Sequence, residues 1–183
     1  MPIDLDAWLP DPQVRSRHRR VAATDEPTLW HAAETVRLRD TPTLGRLVRW
    51  RIPGTASDDA FRELFRAYPF TVLEEGDGWS LSGLCGKIWT LARDYPRIAG
   101  PDEFRSWNEP GTVRVMFGNW VEPAEDGRAA LVSEARVQAV DRRAALRLRA
   151  LWGVVGRFER LIGGEALGAA AKRAEQGVPD SGS

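Results

Sequence analysis

A chain of 183 residues, 43% hydrophobic and 28% charged, has the size and make-up of one globular domain. Its 26 basic and 26 acidic residues cancel, which removes the overall electrostatic motive for binding nucleic acid or an anionic membrane. A single cysteine, Cys85, excludes an internal disulfide; with no secretory leader at its start and no apolar run near the roughly 20 residues of a membrane span, a cytoplasmic protein is expected.

Residues 1–14 place Pro2, Pro10 and Pro12 around Trp8 and Leu9 and are expected to form an irregular arm. Residues 15–23 (RSRHRRVAA) read as an edge strand defended by charge. Thr24-Asp25-Glu26-Pro27 is a helix start, leading into Leu29, Trp30, Ala33 and Val36. Thr41-Pro42 opens a second short helix that Pro53-Gly54 stops, and Asp58 or Asp59 caps a third carrying Phe61, Leu64 and Phe65. From Phe70 the period becomes two. Residues 70–75 and 79–91 form a hairpin about Gly76-Asp77-Gly78. Residues 103–107 read as a short strand, and 112–121 and 128–140 as a longer hairpin. Its Val113, Val115, Phe117 and Val121 alternate with Arg114, Met116 and Trp120. One apolar and one mixed face suggest an antiparallel sheet covered on a single side.

The last long run, residues 141–162, starts at Asp141 as N-cap and repeats Leu148, Leu151, Trp152, Val155, Phe158 and Ile162 on one helical face. A helix of that length spans roughly 33 Å, enough to cross a small domain. Gly153 and Gly156 each cost it about 1 kcal/mol of propensity, which suggests a close approach at that point. A further helical piece covers residues 165–176, and 177–183 is expected to be a disordered tail.

No catalytic constellation emerges. His18 and His31 fall on different elements with no second ligand beside them, so no metal site is expected. Cys85 lies mid-strand with no local base and reads as a small buried hydrophobe. Ser80 and Ser82 lack the strand-to-helix elbow of a hydrolase nucleophile, and the glycine pairs lack the setting of a phosphate loop. No cofactor is implied. Eight tryptophans exceed what a core of this size needs, and some are expected to line a cavity.

The order of elements (strand, two or three short helices, a run of antiparallel strands, one long closing helix) points to an α+β helix-grip fold. About six or seven curved antiparallel strands would wrap the C-terminal helix, with a single domain over residues 15–176. The chain here resembles the START-like, Bet v 1-like superfamily, and within it bacterial SRPBCC or polyketide cyclase/dehydrase-type members. The resemblance rests on VAATDEPTLWHAA, LSGLCGKIW, FRSWNEPGTVRVMFGNWVEP, LVSEARVQAVD and LRALWGVVGRFERLI. It implies a cavity between sheet and closing helix, flanked by Trp89, Phe104, Trp107, Met116, Trp120, Trp152 and Phe158. Arg114, Glu134 and Arg136 would form a cross-strand ion pair orienting a polar ligand group. The function expected is binding of a small hydrophobic or aromatic ligand, lipid- or polyketide-like, by a monomer or homodimer. Two alternatives are a cyclase/aromatase-type enzyme using the same cavity and a protein-interaction module.

Overall fold

The period-two runs Val14–Ala22 (β1), Thr71–Gly76 (β2), Trp79–Gly86 (β3), Val113–Pro123 (β4) and Ala129–Ala139 (β5) pair into one curved antiparallel sheet. Their order is β1-β5-β4-β3-β2. The computed structural model describes residues 4–51, 56–90, 95–162 and 164–177, the side chains of 47–51 and 154–162 excepted. Helices are Leu5–Trp8 (α1), Glu26–Thr35 (α2), Pro42–Arg51 (α3), Phe61–Leu64 (α4), Pro101–Ser106 (α5), Arg142–Ile162 (α6) and Glu165–Gln176 (α7).

The described sheet has five strands, not six or seven. The run at 103–107 is helical instead: α5 starts on Pro101, carries Asp102 and Glu103 in its first turn, and buries Phe104. Five residues are too few for periodicity to separate strand from helix, and the proline start decides. Strand β3 ends at Gly86, short of residue 91, because φ there is +137° and Tyr95 and Pro96 lie 3.1 and 3.2 Å from where a Cβ would stand. Residue 91 of the expected strand lies outside the described residues.

Capping follows the sequence at α2 and α6 but not at α4, whose N-cap is Ala60 with no side-chain bond, while Asp59 accepts from Ala56 N–H instead. Thr28 N–H donates to Asp25 Oδ1 at 2.9 Å, and hydrogen bonding from the Thr28 side chain and then its backbone N–H holds the Asp25 carboxyl below its usual range. Ala144 N–H donates to Asp141 Oδ1 at 2.7 Å and Gly111 N–H to Oδ2 at 2.6 Å. Asp141 therefore starts α6 and ties it to the turn before β4, and both bonds lower its pKa. The arm is not wholly irregular, since Asp4 accepts from Asp6 and Ala7 N–H and starts α1.

Register assigns every strand residue to a face. On one face Ala22, Ala129 and Leu131 meet Leu29 and Ala32 of α2, Val36 just after it, and Leu167, Ala170 and Ala171 of α7. Farther along it, Val14, Leu84, Val115 and Val137 meet Leu148 of α6, with Trp89 and Trp152 packed alongside. We call this the helix face. On the other, Leu81, Cys85 and Met116 are buried under Leu5 and Trp8 of α1, Leu9, and Phe104 of α5. This is the arm face. Both faces are thus covered, which corrects the expectation of a single covered side. The mixed face carries enough apolar area to hold an arm, and its charged residues pair with that arm.

The rod against the sheet is also divided. Helices α2 and α7 form the largest helix–helix contact and lie across β1 and β5, while α6 reaches β5 and buries Leu148. Gly153 is exposed, with nothing within 4 Å of a Cβ placed there, so it marks no close approach. The side chains of Val155, Gly156, Phe158 and Ile162 lie outside the described residues. Among the described residues no helix is long and apolar enough to cross a membrane.

Candidate ligand pocket

Small residues on β3 and β4 leave room under the helices. Ser80 and Ser82 alternate onto the helix face of β3, and Ser80 pairs with Asn119 of β4. Together they form the polar floor of a cavity whose walls are Trp30 of α2, Val36 just after it, Phe61 and Phe65 at α4, Leu131 of β5 and Leu167 of α7. The Phe61 and Phe65 wall is backed by further rings: Phe61–Phe65 at 5.1 Å, Phe65–Phe70 and Phe65–Phe117 at 5.2 Å, and Phe70–Phe117 at 5.6 Å between centroids. Offset and edge-on packing of this kind holds the wall without filling the space beside it.

The cavity has about 50 Å³ of room accessible to a water molecule, within an envelope of about 600 Å³ that includes its open mouth. At roughly 10–15 Å³ per water on this measure, the inner slot holds a few waters or one small ring. Four charged residues stand around it, paired as Arg62–Glu34 and Arg66–Glu75.

Of the ten residues expected around a cavity, none of the nine with described side chains lines this one. Trp89 and Trp152 both pack on the helix face against the cluster that holds Leu148; the side chain of Phe158 lies outside the described residues. Phe104, Trp107, Met116 and Trp120 belong instead to the arm-face cluster. Trp107 Nε1 donates to Thr112 Oγ1 at 2.9 Å, and Trp120 Nε1 donates to Glu122 Oε2 at 3.2 Å beneath the Arg17 guanidinium.

The expected ion pair is real in part and differently wired. Arg136, 2% exposed, donates from Nε to Glu134 Oε1 at 2.7 Å, and from Nη1 to Asp6 Oδ1 at 2.5 Å and the Leu9 carbonyl at 3.1 Å. Arg15 adds a 2.8 Å contact to the same Glu134 oxygen. Burial pulls the pKa of Arg136 down, but its bonds to Glu134 and Asp6 together outweigh that and leave it raised. Arg114 stands apart, donating to the Arg105 carbonyl at 3.0 Å and to Gln138 Oε1 at 3.1 Å. These groups hold the arm to the sheet, on the side away from the cavity.

Two further features bear on chemistry. Cys85 is fully buried and burial pushes its thiol up to about 12, which leaves no thiolate at neutral pH. Between α2 and α7 an open groove of about 670 Å³ carries Arg37, Arg39, Lys172 and Arg173. There Arg173 donates to the Thr35 carbonyl and pairs with Asp40 at 2.7 Å, so part of this basic character serves the C-terminal end of α2. Among the described residues no three His, Cys, Asp or Glu side chains are grouped to hold a metal ion.

The residues that sequence reasoning missed are Ser80, Ser82, Asn119, Arg62 and Arg66. The available signal was the placing of two serines at alternate positions in an otherwise apolar strand, which reads as missing volume on one face.

No family model matches the chain, and no curated protein does. Among solved structures it is similar to the hypothetical protein jhp0584 of Helicobacter pylori, at 10% identity and TM-score 0.44, over 92% of this chain and 93% of that one. The ZhuI aromatase/cyclase of Streptomyces sp. R1128 matches at 15% identity and TM-score 0.33, over 92% and 98%. Ara h 8.0201 matches at 11% and 0.31, over 89% and 98%. None of these TM-scores reaches 0.5.

Proposed function

We propose that this chain binds a small, largely apolar or aromatic ligand on the helix face of its sheet, in the cavity roofed by α2, α4 and α7. The observation that carries this reading is an unfilled, apolar-walled space over a floor of small polar side chains. Larger residues at Ser80 and Ser82 would close it. Leaving 50 Å³ empty forgoes about 1 kcal/mol of packing. A single ring or short branched chain fits the inner slot, with any remainder of the ligand seated at the mouth between the Arg62–Glu34 and Arg66–Glu75 pairs. Membership of the START-like, Bet v 1-like superfamily is part of the same proposal, supported by the sequence motifs and by helices that cover one face of a sheet in which β2 to β5 form a meander and β1 joins beside β5.

The test is ligand-observed NMR against a panel of single-ring and short-chain compounds, together with native mass spectrometry of the purified chain. Binding is expected in the native chain and at least about tenfold weaker in Ser82→Leu, with the circular dichroism unchanged. Undiminished binding in a folded Ser82→Leu chain would place the ligand elsewhere.

A further inference from the structure

The chain as a whole carries no net charge, but the groove between α2 and α7 does. Its charged lining is Arg37, Arg39, Lys172 and Arg173 against one acid, Asp40. Two of these cations are engaged: Arg173 by Asp40 and the Thr35 carbonyl, and Arg39 by Asp58. Among the described residues Arg37 and Lys172 have no carboxylate partner, and both are exposed. Glu175, the nearest further acid on α7, accepts from Ala23 N–H at 3.0 Å. The groove is left with an excess of two positive charges.

Helix ends do not account for that excess. Cations gather at helix C-termini to meet the last carbonyls, but Arg173 already meets Thr35 at the end of α2. Helix α7 closes on Gly177, whose N–H donates to the Ala174 carbonyl at 3.3 Å. Shape points the same way. Ala32, Ala169 and Ala174 are small, and the open groove above them has about 670 Å³, the size of a site for a small organic molecule. A concave wall focuses the field of its charges better than a flat patch. A phosphate monoester, with a charge of about −1.5 to −2 at neutral pH, matches two unpaired cations. Its oxygens suit both the planar fork of Arg37 and the point charge of Lys172. A carboxylate would neutralise only one.

We propose that this groove is a second binding site, which takes a small soluble phosphate monoester held through its phosphate by Arg37 and Lys172. The organic part lies over the alanines, beside the hydrogen-bonding side chains of His31 and Gln176. The two sites share no lining residue, so this one stands or falls apart from the apolar pocket.

The probe is phenyl phosphate, titrated into the full chain at low salt by amide NMR, with benzoate as the singly charged control. Phenyl phosphate is expected to shift the amides of residues 37–40 and 169–177 and to bind about tenfold tighter there than benzoate, the worth of one charged hydrogen bond. Arg37→Gln and Lys172→Gln, both exposed, should each weaken it about tenfold with the fold intact. Should a variant not fold, salt decides on the native chain: going from about 20 to 200 mM sodium chloride should weaken binding at least about threefold. No binding, equal affinity for benzoate, undiminished affinity in the folded double variant, or no response to salt overturns the proposal. Binding to phosphatidic acid vesicles that both substitutions abolish, with none of phenyl phosphate, overturns it in favour of a lipid headgroup.

Discussion

On strand β3, Gly83 has no room even for a Cβ, whereas its neighbours Ser80 and Ser82 look across to a cavity. A Cβ at Gly83 would stand 2.6 Å from the Phe104 ring and 2.9 Å from Leu73. The two faces of one sheet are therefore packed to different densities. The arm face is closed by Phe104 and Met116, both fully buried, and by a network in which buried Arg136 and Glu134 meet the Leu9 carbonyl and the exposed Asp6 carboxylate. Arg105 also stacks over Trp8, its guanidinium carbon 3.7 Å from the ring centroid. The helix face is closed by α2, α7 and the short α4 and keeps unfilled space. A rigid backing on one side lets the other carry a void without losing the shape of the sheet.

The sharpest way to break this contrast is to truncate on the closed side. Phe104→Ala should cost about 4 kcal/mol in urea unfolding, because a fully buried ring leaves a hole that the packed arm face fills poorly. Ligand affinity in the folded fraction should be unchanged. Arg136→Ala should cost about 3 kcal/mol, since it strands the buried Glu134 with only Arg15 as partner and releases the arm. Replacing Arg136 and Glu134 together by Met and Leu should return most of that loss; no recovery would mean that the arm is held by its apolar contacts alone. Gly83→Ala should cost about 2 kcal/mol by overpacking against Phe104. On the open side the sign reverses: Ser82→Leu should gain up to about 1 kcal/mol while removing ligand binding.

The smallest effect in the neutral range belongs to Cys85. Its folded thiol titrates near 12, above the roughly 8.5 of an unfolded cysteine. The unfolded chain therefore loses its proton first. Stability from this group is complete below about pH 8.5 and falls as pH rises from there toward 12. At pH 8 a thiol reagent should label Cys85 only as fast as the chain unfolds; rapid labelling of the native protein would show that the arm opens.

Much of the architecture was legible from local rules. The starts of α2 and α6 follow from Asp25 and Asp141, whose side chains accept the N–H groups a cap must satisfy. The β2–β3 hairpin follows from Asp77-Gly78, with Gly78 at φ +77°. Reading 103–107 as a strand failed because a short run fits two periods. The pocket was less legible. Alternation placed Met116 and Trp120 on one face of β4 and Phe117 on the other, but a strand does not record what will cover each side. Tryptophans drew attention as cavity formers; Trp30 does line this cavity, while the space itself lies over the small side chains of Ser80 and Ser82.

By itself, then, the sequence determined the order and ends of most elements and the sorting of strand residues into two sets, because capping, turn chemistry and alternation act within a few residues. Only the tertiary structure decided that the N-terminal arm takes one face and α2 with α7 the other. That choice depends on contacts such as Asp6 with Arg136 and Leu29 with Leu167, more than 100 residues apart in the chain. Where the space falls is set by the volumes such distant partners fail to fill, and no local pattern encodes it.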